Sequence, residues 1–232
     1  MLILGIDTSG KTASCAVLRD NVVLAEKTVY TKLTHSQVIL PFVLETLKDC
    51  NISINDIDLI AVADGPGSYT GLRIGVSMVK GLCFGGKKCL GVSTLEGLAA
   101  NCMAAKARIF SVMAARPGIV YFGAYDSDGV SLTNAIPDCV IETKQLTDYA
   151  NGFKGDIILV GDAAQAVKSE VFPEDERVRI APIAQRLQLA SGICTVAASH
   201  MDEASASESL NARYLQITKA EKDLRDNKLT VK

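Results

Sequence analysis

The chain has 232 residues, 48% of them hydrophobic, and a formal net charge of −2. That apolar content suffices for one large core or two small ones, while the balanced charge presents no basic surface of the kind that marks a nucleic-acid binder. No apolar run reaches the about 18 residues of a membrane span, and the opening Met1-Leu2-Ile3-Leu4 lacks the basic stretch of a secretory signal.

Periodicity and punctuation predict three strands first, Leu2–Ile6, Ala13–Leu18 and Val22–Val29, with Asp20-Asn21 as a hairpin turn. A helix follows over Ser36–Cys50, then strand Leu59–Ala63, helix Leu72–Phe84 and strand Cys89–Val92. Ser93-Thr94-Leu95-Glu96 matches a capping box and opens a helix running to about Ala104. The second half repeats the order. Strands Ile109–Met113, Ile119–Tyr125 and Cys139–Ile141 lead, with Asp126-Ser127-Asp128-Gly129 as a turn. Helix Lys144–Ala150, strand Ile157–Val160, helix Ala163–Val171, strand Val178–Ile180 and helix Ile183–His200 complete it. Two successive βββαβαβα units indicate a duplicated α/β architecture, with the boundary near Asn101–Arg108 and a cleft between lobes as the natural ligand site. The expected units are 1–104, 105–204, and a C-terminal segment 205–232 whose charged tail from Gln216 is read as a fraying helix.

Two glycine-rich stretches invite a phosphate-loop reading. Gly5-Ile6-Asp7-Thr8-Ser9-Gly10-Lys11-Thr12 fits the Walker A pattern, with Lys11 for phosphates and Thr12 for magnesium. Only Leu2-Ile3-Leu4 precede Gly5, however, and the Cys15-Val17 alternation suits a strand at least as well as a helix. A strand–turn–strand hairpin is therefore preferred. The second stretch is Asp64-Gly65-Pro66-Gly67-Ser68-Tyr69-Thr70-Gly71-Leu72-Arg73-Ile74-Gly75, where glycine and proline specify one tight path between strand and helix. Spacing leaves two readings open here, a backbone anion site or a turn for close packing.

The chemistry is sparse. His35 and His200 are the only histidines, far apart and suited to helix ends, and no nucleophile–base grouping is recognisable. Asp7, Asp64 and Asp162 stand at strand ends, where Asp more commonly forms turns but could also line a cleft, and Gly161-Asp162-Ala163 could similarly contact a nucleotide; the candidate nucleotide-binding residues are Asp7, Thr8, Ser9, Gly161 and Asp162. Seven scattered cysteines, none in a Cys-x-x-Cys pair, indicate buried thiols in a reducing, cytoplasmic setting. One feature argues for a partner: Val38 to Leu44 are all apolar, covering every side of their helix, and Gly75, Ser77 and Gly81 keep the next helix slim. The expected interface residues are Ile39, Leu40, Val43, Leu44, Leu47, Gly75, Val76 and Val79.

These blocks resemble the TsaB (YeaZ) family. The resemblance rests on Asp7-Thr8-Ser9, His35-Ser36, Gly65 to Gly75, Gly91-Val92-Ser93-Thr94-Leu95-Glu96, Ala115-Arg116 before Val120-Tyr121, Gly161-Asp162-Ala163 and Asn211-Ala212-Arg213-Tyr214-Leu215. Ala114 departs from it, standing where the family commonly has Asp. The resemblance implies an actin-like ATPase fold of two ribonuclease H-like lobes and a role in placing threonylcarbamoyl-adenosine beside tRNA anticodons. It implies a non-catalytic subunit that pairs, through the first two helices, with the metal-containing TsaD transferase. Thr94 and Leu98 stand at that paralogue's metal-ligand positions, so no metal is expected here. In the same picture a TsaE-like P-loop ATPase binds across the pair, tRNA is met through the complex, a homodimer would use the same helices, and Gly65, Pro66, Gly67, Ser68, Thr70, Gly71 and Arg73 form a structural loop. No cofactor is expected to be required; ATP or ADP binding in the cleft stays open, as does the alternative of an autonomous nucleotide hydrolase.

Overall fold

A computed structural model describes residues 1–30 and 33–216; the fraying helix expected in the tail lies outside the described residues. Among the described residues no helix is long and apolar enough to cross a membrane. The first half runs β1 (Leu2–Asp7), β2 (Thr12–Arg19), β3 (Val22–Tyr30), α1 (His35–Asp49), β4 (Leu59–Gly65), α2 (Tyr69–Leu82), β5 (Lys88–Ser93) and α3 (Thr94–Ala100). The second runs β6 (Arg108–Arg116), β7 (Ile119–Ser127), β8 (Leu132–Glu142), α4 (Leu146–Asn151), β9 (Ile157–Val160), α5 (Ala164–Val171), β10 (Val178–Ile180) and α6 (Ala190–Ser199). Each half makes one five-stranded mixed sheet, ordered β3-β2-β1-β4-β5 and β8-β7-β6-β9-β10, so the duplication read from element order is a duplication of topology.

Alternation along the central strands explains how each sheet is buried on both faces. In β1 and β4, Leu4, Ile6, Ile60 and Val62 pack toward α1 and α2 with Ile39, Val43, Leu47, Val76 and Val79. Ile3, Leu59, Ala61 and Ala63 point the other way, onto Ala190, Ile193 and Cys194 of α6. In the second sheet Phe110 and Val112 face α4 and α5, whereas Ile109 and Met113 meet Leu95, Leu98 and Ala99 of α3. The last helix of each half is thus spent on the other half's sheet.

Several boundaries differ from expectation for identifiable reasons. Ile183–His200 is not one helix; a 3-10 turn covers Ile183–Gln185 and α6 begins at Ala190. The carbonyls between them are engaged elsewhere: Arg186 accepts from Gly161 N, Leu187 from Asn101 Nδ2, and Gln188 from Thr12 Oγ1. Ser14 Oγ and Glu26 Oε1 then accept the first amides of α6. The helix expected over Lys144–Ala150 is a 3-10 turn followed by α4. Strand β8 is longer than Cys139–Ile141, because an edge strand tolerates Pro137 where its pairing with β7 is irregular. Helix α3 ends at Ala100, where Asn101 turns its amide to the 185–187 segment. The hairpin at Asp20-Asn21 is as predicted, both residues having positive φ (47° and 68°). Five of the seven cysteines are buried and Cys50 and Cys139 half-buried, all as free thiols.

Candidate functional site: the interlobe cleft and the outer helix face

A cavity of about 780 Å³ opens between the lobes, walled by the β1–β2 turn, the start of α2, the end of β6 and residues 213–216. The Walker-like stretch lies here, and it is a hairpin. Thr12 begins β2, paired antiparallel with β1, so no helix follows the loop to cradle phosphates. Lys11 instead reaches across to Asp162, Nζ to Oδ2 3.4 Å, and Asp162 Oδ1 accepts the Ala114 amide at 2.9 Å.

Within that turn the polar groups serve one another. The Asp7 carboxylate accepts Ser9 N at 2.8 Å and Ser9 Oγ at 2.6 Å, and burial pushes its pKa up to about 6. Thr8 Oγ1 donates to Gly71 O at 2.7 Å, and Thr8 O lies 3.1 Å from His35 Nδ1 at the start of α1. Ser9 O accepts Ser68 N at 2.7 Å. The turn is therefore pinned to the first residues of both α1 and α2. Gly161, opposite, donates its amide to Arg186 O at 2.8 Å.

The Gly65–Gly71 loop is shaped by close approach. A Cβ on Gly71 would sit 2.0 Å from Thr8 O, and one on Gly65, whose φ is +138°, 2.2 Å from Arg213 O. The Gly65-Pro66 peptide is cis. Ser68 caps α2, its Oγ accepting Gly71 N at 3.2 Å. Gly67 lies over Ser9, while Thr70 and Arg73 face outward. Sequence reasoning missed what lies on the loop's outer side. The Arg73 guanidinium stands 4.1 Å from the Tyr69 ring centroid, its Nε donates to Tyr214 Oη at 3.1 Å, and the two tyrosine rings are 4.9 Å apart. Each of these residues is in a motif, but their meeting depends on residues 209–216 folding back across the loop.

A smaller polar pocket adjoins the cleft. Arg213 Nη2 meets Asp64 Oδ1 at 2.7 Å, and burial pushes Asp64 up to about 6 with Arg213 opposing the shift. Asp138 on β8 accepts Ser93 Oγ at 2.5 Å and Tyr125 Oη at 2.6 Å, joining the lobes. Thr94 and Leu98 are buried in α3, and among the described residues no His, Cys, Asp or Glu cluster of three or more is placed to hold a metal ion.

The expected interface residues separate cleanly. Ile39, Val43, Leu47, Val76 and Val79 are buried in the first lobe's own core, and Gly75 is small because Thr8 Oγ1 and Val62 press on it. Of the expected interface residues these six therefore serve the lobe's own packing. What remains outward is Leu40 and Leu44, 44% and 60% exposed, beside the open Gly81 and exposed Ser77 of α2.

A family profile described as "TsaD: tRNA N6-adenosine threonylcarbamoyltransferase" matches residues 23–225. The Escherichia coli tRNA threonylcarbamoyladenosine biosynthesis protein TsaB is 32% identical over 170 residues, 72% of this chain and 73% of its own length. This chain belongs to the TsaB (YeaZ) family. The Bacillus subtilis TsaB is 42% identical over 139 residues, 60% of this chain, and the match spans 61% of that relative's length. YeaZ from Pseudomonas aeruginosa superposes with a TM-score of 0.79 at 26% identity, covering 92% of this chain and 99% of that one. The doubled β3-β2-β1-β4-β5 topology of this TsaB-family chain is the actin-like ATPase fold.

Proposed function

We propose that this TsaB-family chain takes part in threonylcarbamoyl-adenosine formation on tRNA as a non-catalytic subunit, pairing with and activating a TsaD-type transferase through the outward side of α1 and α2. The observation that carries it is Leu40 and Leu44, two large apolar side chains standing in water beside the slim Ser77–Gly81 face of α2. The names of its TsaB relatives support the pathway, and the self-satisfied Asp7–Ser9 turn supports a role without chemistry of its own. In this reading the subunit requires no cofactor, a TsaE-like P-loop ATPase joins the pair, and tRNA meets the assembled complex. The autonomous hydrolase reading loses its Walker-like loop to the β1–β2 hairpin. Titration with ATP and ADP decides whether either enters the cleft.

Co-expression of the tagged chain with the transferase tests the proposal. Leu44→Glu is expected to weaken co-purification and tRNA modification at least tenfold while the melting temperature of the isolated chain stays within about 2 °C. Undiminished pairing and activity in Leu44→Glu would reject the α1–α2 face. A change from dimer to monomer in light scattering of the chain alone would show that a homodimer uses the same face.

A further inference from the structure

The outer rim of the cleft has a chemistry that the subunit reading leaves unused. Three of the chain's six tyrosines, Tyr69, Tyr121 and Tyr214, line the one cavity. Three of its four charged lining side chains, Lys11, Arg116 and Arg213, are cations, in a chain whose net charge is −2. Lys11 and Arg213 are paired with Asp162 and Asp64, whereas Arg116 has no ion-pair partner among the described residues. Asp162, the lining carboxylate, and Asp64 beside Arg213 are thereby neutralised, and the positive charge of Arg116 remains.

Inside the cleft, the hydrogen-bonding groups of the Asp7–Ser9 turn are engaged by one another and by the glycine-rich loop, which leaves little for the phosphates of an enclosed small ligand. The rim is the reverse. Tyr69 and Tyr214 are 42% and 43% exposed, their rings lie 4.9 Å apart, and Arg73 holds them by cation–π contact and hydrogen bond, so a half-exposed aromatic stack is fixed in place. Fixed aromatic rings in a cavity that Arg116 also lines are what unstacked bases on a phosphate backbone require, and a platform already ordered costs little further entropy on binding.

We propose that this rim, Tyr69, Arg73 and Tyr214, together with Arg116 of the same cavity, binds unpaired nucleotides of an RNA directly. The identity of that RNA as the tRNA being modified rests on the functional reading above; the recognition chemistry does not.

The test is fluorescence anisotropy of a labelled anticodon stem-loop RNA with the full chain, alone and with the transferase, from 50 to 200 mM salt. Tyr214→Leu is expected to weaken binding about tenfold or more, and Arg116→Ala to reduce the slope of log affinity against log salt by about 0.7. Lys144→Ala, at an exposed site outside the cleft, leaves both unchanged. Photo-crosslinking of a 4-thiouridine stem-loop is expected to mark peptides containing Tyr69 or Tyr214. Undetectable RNA binding in both settings, unchanged affinity in folded Tyr214→Leu and Arg116→Ala, or crosslinks confined to other surfaces would overturn the inference. So would tight AMP binding at the rim without RNA binding, which makes the ligand a free nucleotide. Failure of the chain to pair with the transferase refutes the subunit reading alone, since the RNA measurement on the isolated chain still decides this one.

Discussion

The two glycine-rich stretches of this chain look alike on paper and do opposite jobs. Gly5–Thr12 carries the Walker spacing yet is a hairpin whose lysine makes a long ion pair with Asp162. Gly65–Gly71 has no nucleotide fingerprint, yet it is the piece against which the hairpin's turn is seated, through Thr8 Oγ1 to Gly71 O and Ser68 N to Ser9 O. A glycine motif therefore reports how closely backbone passes backbone; what it passes, ligand or protein, is set by the elements on either side.

Breaking the contact should cost most where backbone meets backbone. Gly71→Ala puts a methyl 2.0 Å from Thr8 O, an atom that cannot swing aside. Its loss of stability is expected at or beyond the top of the about 1–3 kcal/mol range for overpacking, seen as a melting-temperature drop of about 6 °C or more. Thr8→Val keeps the shape but removes the hydroxyl, leaving the Gly71 carbonyl without that donor. An about 1–3 kcal/mol loss is expected, with denaturant midpoints as the readout. A loss under about 0.3 kcal/mol would mean that water replaces the hydroxyl.

The Asp7 carboxylate sharpens the comparison through pH. Its pKa in the fold is about 6 against an ordinary aspartate value of 3.8, so the folded state binds its proton more readily than the unfolded state. Its contribution to stability is fully present below the unfolded value and is lost as pH rises through about 6. Asp7→Asn should therefore flatten the dependence of melting temperature on pH between about 4 and 6, compared with the parent chain. An unchanged pH profile would show that Asp7 is not the group responsible. The smallest effect belongs to Lys11→Ala. The side chain is 56% exposed and its pair with Asp162 is long, so stability should move by no more than about 0.5 kcal/mol. A loss of nucleotide binding in Lys11→Ala would instead revive the phosphate-loop reading.

The fold was legible wherever burial imposes a simple period. Fully apolar Leu59–Ala63 reads as a central strand because both its faces meet helices, and the doubled element order survives as doubled strand order. Segment Ile183–Leu189 was not legible, because its backbone is diverted by Gly161, Asn101 and Thr12, partners as far as 176 residues away. The same holds for α1. Seven consecutive apolar residues told that helix's surroundings were apolar, but not that Ile39 and Val43 meet its own sheet while Leu40 and Leu44 meet none. Of the cleft, the two facing turns were visible as strand-end motifs; the Tyr69–Arg73–Tyr214 stack was not, since it forms only when residue 214 returns over residue 69.

The exchange of α3 and α6 has a consequence for any attempt to cut the molecule in two. Scission in the turn after α3 would give fragments that each carry the helix needed to cover the other's sheet, so each alone would expose the strand face now formed by Ile3, Leu59 and Ala61, or by Ile109 and Met113. The repeated element order marks a seam in the topology without marking a line of independent folding. The same clasp opposes hinge-like gaping of the cleft, because opening it would have to disturb α3 against α6, which pack closely enough that a Cβ on Gly192 would lie 2.3 Å from Gly97 O.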